Sequence, residues 1–402
     1  MNSGYHKQMD RILFITNRDV LTTCGALRLI KNRAEVLYSE YQIATDFCVF
    51  QKRNRVSSPK REKINAGGEM WIVGYSIITL IFSYFKFVRL IQRSLRTNDY
   101  KAIVISQTAL PLKISSIKNN SNAPIYLDGH GASEDIYESA RGGSNISLML
   151  RYLAYKLDIS LIKYYLKYVD GSFVVSNGMK EYYDILSSHR KIHYVAAPCS
   201  TVSIDNHFDY NTIRREYRKK FGVSEVDLCF VYSGGIEPWQ CVKETIDLFK
   251  KIASQISEPC KMFIFTYEIE KVNHMVSGDD RFYVTSFKAE ELRKALCAMN
   301  YAFLIRQDSI TNHVAFPNKY LEYIQARLKV ITTPYVYDVA AQIELFDCGF
   351  IYENNINEQS LAKFVVENAH TTLSEEKSIA IIKKSSFKNC LKTFVDSLKF
   401  SS

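Results

Sequence analysis

An α/β fold of two domains is what this sequence predicts, on three observations. The chain has 402 residues, too many for one ordinary hydrophobic core and enough for two domains of common size. Short apolar runs recur along it between stretches of helical spacing, and strand, helix, strand at that interval makes parallel βαβ units. Several runs end in glycine or polar turns, where an open parallel sheet presents its ligand-binding edge.

In the first domain, placed at residues 1–198, Arg11-Ile12-Leu13-Phe14-Ile15-Thr16-Asn17 reads as a buried strand. The loop from Arg18 to Gly25 follows it, and residues 26–38 have helical spacing. Residues 41–50 are expected to form the second strand. A basic loop with Lys52, Arg53, Arg55, Lys60, Arg61 and Lys63 then leads into the apolar stretch 70–82, continued by Lys86, Arg89, Arg93 and Arg96. Its uncharged part, about fifteen residues, is short of the roughly 20 that span a bilayer. Two expectations stand for it: a helix lying on an anionic membrane surface, or a helix packed on the sheet with a solvated basic end.

Residues 102–106 and 124–127 are further strands around a helical stretch at 109–118. The second of them ends in Asp128-Gly129-His130-Gly131-Ala132-Ser133-Glu134. Its glycines turn the chain sharply and present His130 at the strand's carboxyl end. A helix over 148–168, a strand over 171–176, a helix from Asn177 and a strand over 194–198 complete the domain. The chain then turns polar, and the boundary is placed there.

The second domain, 199–376, opens with a basic helix, and Leu228-Cys229-Phe230-Val231-Tyr232 is a strand running into Ser233-Gly234-Gly235. Strands over 262–266, 282–284 and 301–305 alternate with helices over 268–276 and 289–299. After Tyr301-Ala302-Phe303-Leu304-Ile305 comes the organising stretch, Arg306-Gln307-Asp308-Ser309, a polar loop, then Pro317-Asn318-Lys319-Tyr320-Leu321-Glu322-Tyr323. Pro317 stands where the first turn of a helix accommodates it. Lys319 falls in that first turn, where the backbone dipole is already positive and unpaired N–H groups point outward. A cation there is unfavourable unless an anion sits between, and helix N-termini are ready phosphate sites. Arg306, at the carboxyl end of the preceding strand, points to the same crevice. Glu322 shares the face of Lys319, and its carboxylate suits sugar or ribose hydroxyls. Phosphate with a diol indicates a nucleoside diphosphate.

Arg306, Asp308-Ser309, Asn312, Pro317, Lys319 and Glu322-Tyr323 together resemble the donor motif of GT-B glycosyltransferases, particularly the retaining family 4 of bacterial surface polysaccharide synthesis. The resemblance implies two Rossmann-like domains facing across a cleft, with the donor on the second and the acceptor on the first. Two further matches fall in order. The Asp128-to-Glu134 turn is similar to one whose histidine approaches the donor sugar, which gives His130 a catalytic place and Asp128 and Glu134 places near sugar or acceptor. Ser233-Gly234-Gly235 is similar to the turn that brings diphosphate against bare backbone. The same likeness assigns Gly25 to the acceptor side and Asn318 to the donor side, and folds residues 377–402 back toward the first domain as a helix. Two departures are plain: Val314 stands where many members have a glutamate, and Gly235 and Gln240 stand where many have phosphate-gripping Arg and Lys. They shift charge neutralisation to Arg306 and Lys319.

The nine cysteines include no CxxC pair, so neither zinc nor a disulfide framework is indicated, and their odd number fits a reducing cytosol. No Asp-x-Asp triplet occurs, so no metal-bridged diphosphate and no cofactor are expected. The net charge of +10 favours an anionic partner. Nucleic acid is not expected, because no finger, RRM or recognition-helix signature accompanies the charge. Residues 1–10 are polar, so no signal peptide is expected. The expected protein is a cytoplasmic glycosyltransferase, peripheral on the inner membrane face, moving sugar from a nucleotide-sugar to a glycan or lipid-linked acceptor. Two other readings stay open: a nucleotide-sugar epimerase, and a catalytically silent subunit that binds a glycan or a partner enzyme.

Overall fold

A computed structural model describes residues 9–17, 25–52, 60–63, 66–106, 111–138, 145–198, 209–353 and 356–398. The first sheet contains β1 (Arg11–Thr16), β2 (Ala44–Lys52), β3 (Lys60–Lys63), β4 (Glu69–Tyr75), β5 (Tyr100–Ser106), β6 (Ile125–Asp128), β7 (Gly171–Val174) and β8 (His193–Ala196). The second contains β9 (Leu228–Ser233), β10 (Cys260–Phe265), β11 (Phe282–Thr285), β12 (Tyr301–Leu304), β13 (Lys329–Thr332) and β14 (Gly349–Ile351). The spatial orders are β3-β4-β2-β1-β5-β6-β7-β8 and β11-β10-β9-β12-β13-β14. Every pairing is parallel except β3 with β4. Such strands are covered on both faces, so they read as unbroken apolar runs: β9 and β12 are buried at every residue.

In a parallel sheet all carboxyl ends lie on one edge. The order reverses around β1 in the first sheet and around β9 in the second, and these are the points where open sheets take ligands. The chain is therefore two Rossmann-like α/β units, each with its binding crevice set by topology.

The sequence expectation fails at residues 70–82. Met70 to Tyr75 belong to β4, paired with β2 from Phe47↔Met70 to Lys52↔Tyr75, and the helix begins only at Leu80. Aromatic and β-branched residues fit a pleated surface as readily as a helix, and a short apolar run does not distinguish the two. The expected basic loop also contains β3, whose pairing covers the edge of β4. Residues 53–59 of that loop, like the expected loop at 18–24, lie outside the described residues.

The C-terminal helix expected as one element is two. The Glu375–Lys384 helix rests on the second lobe, with Ser378 Oγ donating to Ile324 O at 2.7 Å. The chain breaks at Ser385-Ser386, Ser386 caps the next helix by accepting from Asn389 N, and Phe387–Ser397 crosses to the first lobe. There Phe387, Leu391 and Phe394 join a core with Ile30, Leu37, Val104 and Phe173. A capping serine at this position restarts a helix in a new direction.

The lobes also meet at the carboxyl end of β7. Ser176 Oγ donates to Val314 O at 2.6 Å. Asp338 accepts from Asn177 N, Asn177 Nδ2 and Gly178 N at 2.9, 2.9 and 3.2 Å. Gly178 lies so close to His313 O that a β-carbon would overlap it. Gly178→Ala is expected to part this contact or to cost about 1–3 kcal/mol of stability. Small-angle scattering and chemical denaturation check the two outcomes.

Candidate functional site

The reversal between β9 and β12 places the turn after β9 beside the loop after β12, and from these two segments and one helix the site is built. Thr333 pins the Arg306 backbone from both sides: its hydroxyl accepts from Arg306 N at 3.1 Å and donates to Arg306 O at 2.8 Å. The arginine is 3% exposed. Its guanidinium donates to Ile305 O and Gln240 O, each at 3.1 Å, and to Gln240 Oε1 at 2.7 Å.

Lys319 comes from the Asn318–Gln325 helix, whose first turn holds no acidic residue. Its Nζ donates to the same Gln240 Oε1 at 2.8 Å and stands 4.3 Å over the Tyr232 ring centroid. The Tyr232 hydroxyl donates to Gly235 O at 2.5 Å and stands 3.2 Å from Gln240 Oε1. One amide oxygen thus receives a guanidinium and an ammonium. Two cations share a neutral acceptor, and their charges are not cancelled at that contact.

Gly234 leaves the room this needs. Its φ is +131°, a conformation that favours glycine, and a β-carbon there would stand 2.7 Å from Lys319 Nζ and push the ammonium aside. Tyr323 ties the Lys319 helix to this turn, its hydroxyl accepting from Ser233 N at 2.9 Å and from Ser233 Oγ at 3.1 Å. Asn312 braces the intervening loop by donating to Gln307 O at 2.9 Å and Ser309 Oγ at 3.1 Å. Glu322 is half-buried one turn beyond Lys319. Asn318 opens the helix with its Oδ1 buried and lacking a hydrogen-bond partner among the described residues. Gly235 lies against the Glu237 carboxylate.

Burial holds the Lys319 pKa well below the ordinary lysine value; Arg306 pushes the same way, and Glu322 and Glu237 oppose them. Burial also lowers the Arg306 pKa, though a guanidinium stays charged in proteins. An anion in contact with both groups would relieve this electrostatic conflict.

On the first lobe, β6 ends in Asp128, which is wholly buried between Arg33 and His130. His130 Nε2 stands 2.8 Å from its carboxylate, and Arg33 also donates to Ala197 O at 3.0 Å. Burial acts to raise the Asp128 pKa, but Arg33 and His130 outweigh it and hold the group at about 2. Glu134 accepts from Tyr182 at 2.7 Å and from Tyr155 at 3.4 Å. Tyr182 lies on the Asn177–Leu186 helix, whose start touches His313 and Asp338. Gly25 opens the Gly25–Tyr41 helix after β1, at the switch of the first sheet.

The structure therefore brings Arg306, Lys319, Gly234 and Gly235 into one cluster and Asp128 and His130 into a second, on the edges that face each other through Ser176 and Val314. Sequence reasoning did not find Gln240 as their hub, Arg33 as the partner of Asp128, or Ser176 and Asp338 as the lobe contact. Only Gln240 carried a signal, as the residue standing where the resembling family has lysine. Val314 offers its backbone carbonyl to the lobe contact. Among the described residues no three His, Cys, Asp or Glu side chains gather in a metal-binding group.

No protein-family model matches the chain, and no curated protein matches it in sequence. Solved structures do match in fold. A glycosyltransferase from Rickettsia africae superposes with a TM-score of 0.65 at 12% identity, over 96% of this chain and 97% of that one. The E. coli trehalose-6-phosphate structure bound with UDP-2-fluoro glucose gives 0.59 at 11%, over 98% and 100%. HepE of Anabaena, in complex with UDP and glucose, gives 0.60 at 10%, over 97% and 100%. The fold is GT-B.

Asp128→Asn leaves the Arg33 guanidinium buried without its counter-charge and is expected to cost about 3–5 kcal/mol in chemical denaturation. Because folding lowers the Asp128 pKa from 3.8 to about 2, its contribution is complete above pH 3.8 and disappears as pH falls through about 2. The variant should therefore show a shallower acid limb of stability against pH than the parent.

Proposed function

We propose that this protein transfers a sugar from a nucleoside-diphosphate donor to a glycan or lipid-linked acceptor, in bacterial surface polysaccharide synthesis. The observation that carries the reading is the convergence of Arg306 and Lys319 on one neutral oxygen, at the topological switch of the second sheet and facing the first lobe. Glycosyl transfer develops negative charge on the departing diphosphate. Fixed cations in a desolvated site stabilise that charge without reorganising. Gly234 lets a diphosphate oxygen approach bare backbone, and Glu322 serves the donor's hydroxyls. Arg306 and Lys319 supply the neutralisation that a metal ion provides elsewhere.

His130 is assigned to the sugar near the reacting carbon. Asp128 positions it, and Arg33 keeps Asp128 ionised. Transfer is assigned as retaining, on the likeness of the Arg306-to-Tyr323 motif to the retaining family. A lipid-linked acceptor places the working enzyme at a membrane.

Thermal-shift screening with UDP, GDP and their glucose conjugates should find one that raises Tm, since a ligand of the folded state stabilises by mass action. Arg306→Ala and Lys319→Ala should abolish that shift and lower transfer roughly a hundredfold or more. Full turnover in both variants removes the reading. Turnover without acceptor would indicate an epimerase, and binding with no turnover a silent subunit.

A pH signature follows from Lys319. Its pKa is depressed in the free protein, and an arriving diphosphate returns it toward the ordinary value, so binding takes up a proton at a pH between the free and bound values. UDP affinity should be highest below the free-protein pKa and fall as pH rises between the free and bound values. Titration calorimetry in buffers of unlike ionisation enthalpy measures the uptake directly.

A further inference from the structure

The first lobe exposes apolar side chains from two helices at the same edge of its sheet. Ser76 and Thr79 close a turn after β4, Ser76 N donating to Thr79 Oγ1 at 2.9 Å, and this turn displays Ile77 and Ile78, which are 82% and 96% exposed. Leu80, Ile81, Phe82 and Phe85 continue the exposed surface along the Leu80–Thr97 helix. That helix starts at the carboxyl edge of the sheet because it follows a parallel strand.

The Asn145–Tyr168 helix runs into β7 and so begins at that same edge. Its 24 residues make it about 36 Å long at 1.5 Å per residue, while β6 and β7 have four residues each. Its buried residues, Ile162, Tyr165 and Leu166, all lie in the last third. The overhanging start shows Ile146, Leu150, Leu153 and Leu157 to solvent at helical spacing, with Leu157 72% exposed. The two helices share one face: Tyr84 donates to Pro111 O, and Tyr164 and Tyr165 accept from Ile114 N and Leu112 N.

The charge around this surface selects its occupant. The Leu80–Thr97 helix contains no acidic residue, and Lys86, Arg89, Arg93 and Arg96 are all exposed, following Phe82 and Phe85 along the helix. Lys86 Nζ lies 4.6 Å over the Phe82 ring. Apolar tips with cations behind them match a bilayer interface, acyl chains below and anionic headgroups above. No helix among the described residues is long and apolar enough to cross a membrane.

We infer that the Ile77–Phe85 rim and the start of the Asn145–Tyr168 helix form a docking surface for an anionic lipid bilayer. The surface borders the edge that carries His130 and Gly25. On the glycosyl-transfer reading, it delivers an acceptor anchored in the lipid to the cleft.

Co-sedimentation of the full chain tests this with vesicles of phosphatidylcholine alone and of equal parts phosphatidylcholine and phosphatidylglycerol. Binding is expected to the anionic vesicles only. It should fall on the order of tenfold in Lys86→Ala/Arg89→Ala and at least as far in Ile78→Asp/Leu157→Asp, all exposed positions whose change leaves the fold intact. Absent binding, equal binding to both vesicles, or undiminished binding by either variant overturns the inference. So does a lipid-free dimer that Ile78→Asp/Leu157→Asp dissolves, because the patch then belongs to a second copy. UDP protection against heat should be the same in parent and variants. Vesicle binding without any nucleotide protection would count against glycosyl transfer and leave the docking surface standing.

Discussion

One buried and one half-buried cation held against one neutral oxygen are the constraint around which the second lobe is arranged. Like charges in a desolvated site repel, and an amide dipole does not cancel them. The arrangement persists because its supports are fixed by hydrogen bonds and by the space at one glycine. Thr333 clamps the Arg306 backbone, Tyr323 locks the Lys319 helix to the β9 turn, and Gly234 alone leaves space for the ammonium. Thr333, Tyr323 and Gly234 thus hold an electrostatic state that an anion in contact with both cations would relieve. Such preorganisation is what stabilises charge appearing in a transition state.

The first lobe solves the opposite problem. Asp128 is buried, but it has a cation on one side and an imidazole on the other. Arg33 reaches it from the first helix and also lies over the rings of Phe173 and Phe387. Phe387 belongs to the helix that returns from the second lobe, so Arg33, the ion-pair partner of Asp128, is packed against the crossing segment. The two clusters are joined by this return and by the Ser176–Val314 contact.

Much of this was legible in the sequence because parallel strands buried on both faces announce themselves. β9 and β12 stand close to where apolar runs placed them, and Arg306 and Lys319 were brought to one crevice by strand order and helix polarity. The failures have physical causes. Residues 70–75 carry aromatic and β-branched side chains that pack equally well in either period, and only pairing with β2 decides for a strand. The break at Ser385-Ser386 depends on where each half finds a surface to cover. Gln240 gained its place from contacts with Arg306 and Lys319, 66 and 79 residues away, and Arg33 from Asp128, 95 residues away. No local pattern encodes a partner at that separation.

The central claim is that Arg306 and Lys319 with Gln240 form a receptor for a diphosphate, and a crystal structure with bound UDP tests it most directly. The account predicts diphosphate oxygens within hydrogen-bond distance of the Arg306 guanidinium and the Lys319 ammonium, with the Gln240 amide giving up at least one of its present donors. A diphosphate bound elsewhere, with Gln240 still holding both cations, would contradict it.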